Sequence, residues 1–399
     1  MEWIEGGVTA ARGYLASGVA CGLKKDGRPD LALLVSELPA VSAGVFTTNQ
    51  IKGHSLLLTQ RRVGRPVRAV LVNSGNANAC LGPRGEVETL AVAGFAAEVL
   101  GLAEEEVLLG STGVIGQPLD LEAMRRGILL ARDSLAPDGG AAAARAIMTT
   151  DTFPKEAAAS LVLNGRTVRI GGMAKGSGMI HPNLATLLGF LTTDAPIGSA
   201  ALGAALRAAV EETFNAITVD GDTSPCDMVI ALANGAAGGE EIPPGTAGFS
   251  LFSGALTEVC RALAEMVARD GEGATKFLTI VVRGARTAEE ARRIGRAVGV
   301  SPLVKTAIFG ADANWGRIIN AVGNAGVPIE PGKIGIEIGG LPVCRGGAAV
   351  PFSEEKAKAI LEGREIEIAI DLGLGGAAAT VWSCDLSYDY VKINGSYRS

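Results

Sequence analysis

The chain has 399 residues, 48% of them apolar and 20% charged, with a formal net charge of −6. That mixture supports a large core, excludes a disordered chain and offers nucleic acid no basic stripe, since Arg61-Arg62 and Arg292-Arg293 are isolated pairs. The six cysteines include no Cys-x-x-Cys pair, and two histidines, His54 and His181, are too few for a His-rich centre, so no metal is expected.

The first residues, Met1-Glu-Trp-Ile-Glu, carry acid where a signal peptide carries positive charge, and no apolar run approaches a membrane span; the expectation is a cytoplasmic chain without membrane partners. No Gly-x-Ser-x-Gly occurs, so a hydrolase or acyl transferase built on this chain must use one of the two histidines or a base other than imidazole.

In chain order, residues 67–72 read as a strand that runs into Asn73-Ser-Gly-Asn-Ala-Asn-Ala-Cys80. That cluster is either a set of Asx turns capping a helix over 87–100 or the polar wall of a site. Leu108-Leu-Gly-Ser-Thr-Gly-Val-Ile-Gly116 reads as a small-residue loop before a helix over 121–131. Its exposed amides could donate to an oxyanion, although a tight turn is the commoner use of such a stretch. Met148-Thr-Thr-Asp-Thr-Phe-Pro154 is a third polar loop.

A hairpin follows at Ser160-Leu-Val-Leu-Asn-Gly-Arg-Thr-Val-Arg-Ile170, where Asn164-Gly165 supplies the positive φ angles of a two-residue turn. Gly171, Gly172, Gly176, Gly178 and Pro182 predict a loop over 171–183. Residues 184–191 then predict a short buried strand with a single hydroxyl, Thr186, behind the small Ala185. A threonine opening a buried strand after a glycine-rich loop is a candidate nucleophile; an ordinary strand threonine is the competing reading.

Residues 198–213 and 251–269 have helical periodicity. Between them Asp220-Gly-Asp-Thr-Ser224 lacks the later acidic ligand of a calcium loop and reads as a hydrogen-bonded turn. After Asp270-Gly-Glu-Gly-Ala-Thr-Lys276 the chain alternates: strand 277–282, helix 288–298, strand 303–309, helix 315–324, strand 334–338, helix 353–361, strands 366–372 and 378–382. The mixture predicts an α/β or α+β chain. Ser353-Glu-Glu-Lys356 lacks the companion motifs of penicillin-binding enzymes and reads as a helix N-cap. Gly373-Leu-Gly-Gly376 lacks the third glycine and the ribose-binding acid of a dinucleotide fingerprint.

Several stretches together resemble the ornithine acetyltransferase family: Val45-Phe-Thr-Thr-Asn49, Leu71-Val-Asn-Ser-Gly-Asn-Ala-Asn78, Ser111-Thr-Gly-Val-Ile-Gly116, Gly176-Ser-Gly-Met-Ile-His-Pro-Asn-Leu-Ala-Thr-Leu-Leu188 and Gly310-Ala-Asp-Ala-Asn-Trp-Gly-Arg317. They are long, mutually ordered and span the chain nearly end to end. The resemblance implies a self-processing N-terminal-nucleophile enzyme with a layered α/β/β/α core, similar to the aminopeptidase/ornithine acetyltransferase-like fold. It implies a cut between Ala185 and Thr186 into chains 1–185 and 186–399, with a C-terminal α/β subdomain expected over about 283–399.

The same resemblance implies Thr186 as nucleophile, Thr112 and Gly113 as the oxyanion hole, and substrate contacts from Thr152, Lys175, Thr186, Glu272, Asn394 and Ser399. The implied activity is glutamate N-acetyltransfer in arginine biosynthesis, by ping-pong from N2-acetylornithine to glutamate. A heterotetramer of two chains of each kind is implied, without a cofactor and with acetyl-CoA left open as a second donor. A threonine freed at a chain start brings its own α-amine, whose pKa of about 7.7–8.0 supplies the base that the histidine count withholds.

The sequence departs from the family's pattern at Ala313, where Pro is usual, at Pro225-Cys226, where Thr-Asn is usual, and at Leu184, where Met is common; the changes at 225 and 226 put the role of the acidic turn in doubt. The alternative function is a related self-processing aminopeptidase or amidase that passes its acyl group to water. A nucleotide-binding oxidoreductase or a silent binding protein is the different-class reading.

Overall fold

The computed structural model describes residues 1–181 and 187–396; Ala185, Thr186 and Ser399 lie outside the described residues. One long strand, Leu31–Phe46, organises the first part of the chain. Its early residues pair antiparallel with Tyr14–Val19 and Val67–Asn76 and its late residues with Met228–Ala233, with a register break between Val35 and Ala40. Two sheets result. The first is completed by Val107–Val114, parallel to Val67–Asn76. The second continues from Met228–Ala233 through Leu188–Thr193, Arg166–Lys175 and Lys155–Leu163 to Glu2–Ile4.

Period-two alternation decides which face each side chain takes. Val70, Val72 and Leu108 of the first sheet meet Met173, Leu188, Phe190, Met228 and Ile230 of the second in one buried core. Ala69, Leu71, Val107 and Leu109 point the other way, against the helices Pro83–Leu100 and Leu121–Asp133. On the far side Ile170, Leu191, Val229 and Ala231 pack under Ser199–Glu212 and Ala247–Arg269. The layers are therefore helices, sheet, sheet, helices, the arrangement that the resemblance implies.

A six-stranded sheet between Phe277 and Cys384 has its own core, in which Leu278, Ile280 and Val282 pack with Ile294, Val298 and Ile308. Among the described residues no helix is long and apolar enough to cross a membrane.

Three stretches differ from the sequence expectation. Residues 303–309 form part of a helix, Pro302–Phe309, because Ser301 caps it by accepting from Val304 N, Pro302 occupies the first turn, and Val304, Ala307 and Ile308 form one buried stripe. The expected loop over 171–183 begins later, since the strand Arg166–Lys175 runs through Gly171 and Gly172. Their glycines mark close approach: a Cβ at 171 would lie 1.9 Å from Gly7 O, and one at 172 would lie 2.7 Å from a Leu191 methyl. The small-residue run 108–116 is likewise mostly strand, Val107–Val114. The hairpin is as expected, with Asn164 at φ 49° and Gly165 at φ 74°.

Candidate active site

The parallel pair Val67–Asn76 and Val107–Val114 brings Ser74 opposite Thr112 and Gly75 opposite Gly113. Gly113 has φ 129°, and a Cβ there would lie 2.4 Å from Gly75 C, so only glycine lets the two backbones close at this point. Behind this edge runs a chain of neutral hydrogen bonds. Ser111 Oγ donates to Asn73 Oδ1 at 2.7 Å and lies 2.7 Å from Ser55 Oγ; Asn78 Nδ2 donates to Ser55 Oγ at 3.0 Å and to Thr89 Oγ1 at 2.7 Å; Thr89 Oγ1 donates to Gly85 O at 2.6 Å. Asn76 Oδ1 accepts from Asn78 N at 2.7 Å, which holds Asn78 at φ 48°. The amide cluster is thus a buttress behind a site wall. It does not cap the following helix, which has no side-chain cap.

The opposite wall is ionic. Lys155, fully buried at the start of Lys155–Leu163, donates to Asp151 Oδ1 at 2.7 Å and to Asp270 Oδ2 at 2.6 Å. Asp151 also accepts from Gly176 N at 2.7 Å and Thr149 N at 2.9 Å; Asp270 accepts from Thr152 N at 2.9 Å and from the Thr152 hydroxyl. Burial alone would raise the Asp151 carboxyl, but the charges of Lys175 and Lys155 and the Lys155 and Thr149 hydrogen bonds outweigh it and bring the group down to about 2. Ser177 Oγ donates to Asp270 O at 2.5 Å and Glu272 N to Ser177 O at 3.0 Å. One buried cation therefore braces the three segments that carry Thr152, Lys175 and Glu272.

Between the walls lies a partly enclosed cleft. Thr112, Gly113, Lys175, Glu272 and Asn394 line it together. Lys175 and Glu272 are each 8% exposed, so both charges face a sheltered space. Asn394, on the C-terminal helix Tyr388–Ser396, donates to Glu272 Oε2 at 2.6 Å. Leu187, the residue after Thr186 in the chain, also lines the cleft. Thr152 does not: it lies in an adjoining groove with Phe153 and Lys392, with its hydroxyl committed to Asp270.

The Asp220 carboxylate accepts from Met179 N at 2.6 Å, Ile180 N at 2.9 Å and Asp222 N at 3.1 Å, so the acidic turn is hydrogen-bonded and clamps the chain as it leaves Gly178. Pro225 and Cys226, the departures from the family's pattern, line the cleft beside it. Among the described residues no cluster of three or more His, Cys, Asp or Glu could hold a metal ion. Neither histidine lines the cleft; His181 Nδ1 lies 3.2 Å from Thr218 Oγ1, and burial with the nearby Arg296 charge lowers its pKa.

Sequence reading missed Asp151, Lys155, Asp227 and Asp270. Asp227 carries one usable signal: it is the last polar residue before the apolar strand Met228–Ala233, at the same strand end as the cleft.

Two face-packed sheets between helix layers, with a sheltered charged cleft beside a glycine-closed strand edge, define the class of layered α/β enzymes with a site at the strand ends. The sequence profile of the ArgJ family matches residues 15–399, and the chain belongs to that family. It is 52% identical over the whole of both chains to the arginine biosynthesis bifunctional protein ArgJ of Symbiobacterium thermophilum. It is 46% identical to that of Thermosynechococcus vestitus, with 100% of this chain and 99% of the relative covered. Among solved structures, the arginine biosynthesis bifunctional protein of Bacillus halodurans matches with 45% identity and a TM-score of 0.51, over 52% of this chain and 98% of that one.

Proposed function

We propose that the chain is a self-processing acyltransferase of arginine biosynthesis, which carries acetyl from N2-acetylornithine to glutamate through an ester on Thr186. The observation that carries this reading is the cleft that sets Thr112 and Gly113 against Lys175 and Glu272. The first pair suits an oxyanion; the second suits the carboxylate and amine of an amino-acid substrate.

Processing and transfer use the same parts. The Thr186 hydroxyl attacks the Ala185 carbonyl, the oxyanion is held by Thr112 and Gly113, and water releases chains 1–185 and 186–399 from the ester. The freed α-amine then serves as base for acetyl uptake. Asn394 orients Glu272, Thr152 contributes from the adjoining groove, and Ser399 is a further substrate contact. The processed pair assembles as a heterotetramer in the cytoplasm and works without a cofactor; acetyl-CoA is left open as a second donor.

The test is a burst. Processed protein mixed with N2-acetylornithine and no glutamate should release about one ornithine per site and acetylate the fragment that begins at Thr186; glutamate should then discharge it. Release of free acetate with glutamate ignored would make the protein an amidohydrolase. Thr186→Ala, which has no hydroxyl for the acyl shift, should remain one uncut chain by intact mass.

A further inference from the structure

Both half-reactions proposed above move an amine nitrogen, first as leaving group and then as nucleophile, and each needs a proton delivered or removed there. Among the described residues lining the cleft, the titratable side chains are Lys175, Cys226, Asp227 and Glu272. Cys226 donates its thiol proton to Ala77 O at 3.2 Å, and burial raises its pKa. Glu272 is engaged by Asn394 at 2.6 Å. Lys175 is the cation that suits a substrate carboxylate.

Asp227 is hydrogen-bonded within its own turn instead. It is 4% exposed, accepts from Ser224 N at 3.0 Å, and forms no ion pair among the described residues. Its backbone is pinned on both sides: Thr47 N donates to Asp227 O at 3.0 Å, and Met228 N donates to Leu187 O at 2.9 Å. The second bond ties it to the residue that follows Thr186.

We propose that Asp227 is a catalytic carboxyl of this cleft, giving its proton to the nitrogen that leaves during acetyl uptake and taking one from the nitrogen that attacks during acetyl transfer. The role rests on the acetyl-transfer reading. In uptake, the Thr186 oxygen bonds the acetyl carbon and passes its proton to the α-amine. The carbon–nitrogen bond to ornithine breaks, and the Asp227 proton goes to that nitrogen. In transfer, the glutamate ammonium first sheds a proton to water and its nitrogen bonds the acetyl carbon. The extra proton on that nitrogen returns to Asp227, and the α-ammonium proton returns to the departing Thr186 oxygen. Each group ends the cycle as it began.

Burial lifts the Asp227 carboxyl to about 8, against the opposing Lys175 charge and the Ser224 hydrogen bonds, with Asp220 adding to the rise. Cys226, the remaining titratable neighbour, stays a neutral thiol at such pH. A group that alternates between acid and base works best when both forms are populated near the working pH.

The experiment compares two acetyl donors on processed protein between pH 6 and 10: N2-acetylornithine, whose leaving amine needs a proton, and p-nitrophenyl acetate, whose phenolate does not. Wild-type acylation by N2-acetylornithine should fall as pH rises past about 8, while acylation by the ester should not. Asp227→Asn should lower the amide-to-ester rate ratio by about 100-fold or more. Parallel wild-type profiles, or an equal loss on both donors in the variant, would overturn the role and leave the transfer reading intact. Wild-type protein that releases no ornithine would remove both.

Discussion

The two walls of the cleft are built from buried polar groups, yet one is neutral and the other ionic. Behind Thr112 and Gly113 the chain from Asn73 through Ser111, Ser55 and Asn78 to Thr89 carries no formal charge. Behind Lys175 and Glu272 stand Asp151, Lys155 and Asp270, all nearly inaccessible. In the proposed reaction the first wall faces a charge that exists only during bond making, whereas the second faces charges that a substrate carries permanently. A neutral network orients donors without a net charge of its own; an ion cluster fixes segments from distant parts of the chain, at the cost of depending on every member.

The largest effect should come from breaking the ionic wall. Lys155→Met leaves two carboxylates buried without their shared cation and should cost about 3–5 kcal/mol in urea unfolding. The oxyanion edge is untouched by the change, so whatever protein folds should still cut itself, with substrate KM raised more than kcat is lowered. Unchanged stability would mean that water already reaches the cluster.

Next comes the neutral wall. Gly113→Ala drives a Cβ to 2.4 Å from Gly75 C at a positive φ, so the amide edge must move. Self-cleavage and transfer should both slow on the order of 100- to 1000-fold, as for the loss of one oxyanion donor, with substrate KM little changed. Normal self-cleavage by intact mass would place the oxyanion elsewhere.

The two walls also differ in how far the sequence revealed them. The hairpin was legible because Asn164-Gly165 states its own turn. The layer order and the residues 112, 113, 175, 272 and 394 came through resemblance, and the structure brings those five to one cleft. The helix at 302–309 was misread because a short stretch with two apolar pairs, Leu303-Val304 and Ile308-Phe309, suits either element, and Ser301-Pro302 was the deciding signal. The strand glycines 171 and 172 were misread because close packing and a loop ask for the same residue. The ionic wall was invisible: Lys155 and Asp270 are 115 residues apart, and no local pattern announces a tertiary ion pair.

A smaller effect follows from pH. The Asp151 carboxyl is held at about 2, below an unfolded value of about 3.9, so it stabilises the fold above pH 4 and loses that contribution as pH falls through 2. The gap in stability between wild type and Asp151→Asn should therefore narrow by about 2 kcal/mol between pH 5 and pH 2. A gap that stays constant with pH would show that hydrogen bonds, and not charge, hold the ionic wall.

The smallest effect tests whether the neutral wall works as one unit. Thr89 sits at the end of the chain farthest from Thr112, where its hydroxyl accepts from Asn78 Nδ2 and donates to Gly85 O. Thr89→Val keeps the shape and removes both bonds, leaving Asn78 with Ser55 and its own backbone bond to Asn76. Asn78 Oδ1 is buried without a hydrogen-bond partner among the described residues, so the side chain has little left to hold it. A cost of about 1–3 kcal/mol in stability is expected from the orphaned groups alone. If the chain is cooperative, Asn78 also shifts, Ser55 and Ser111 follow, and self-cleavage slows a few-fold although the substituted atom belongs to none of the reacting groups. A double-mutant cycle with Ser55→Ala measures this directly, since linked residues couple by about 0.5–3 kcal/mol whereas independent ones add. Additive losses with self-cleavage at the wild-type rate would reduce the neutral wall to separate hydrogen bonds, and would leave the Gly75–Gly113 backbone contact as the only device that fixes the oxyanion edge.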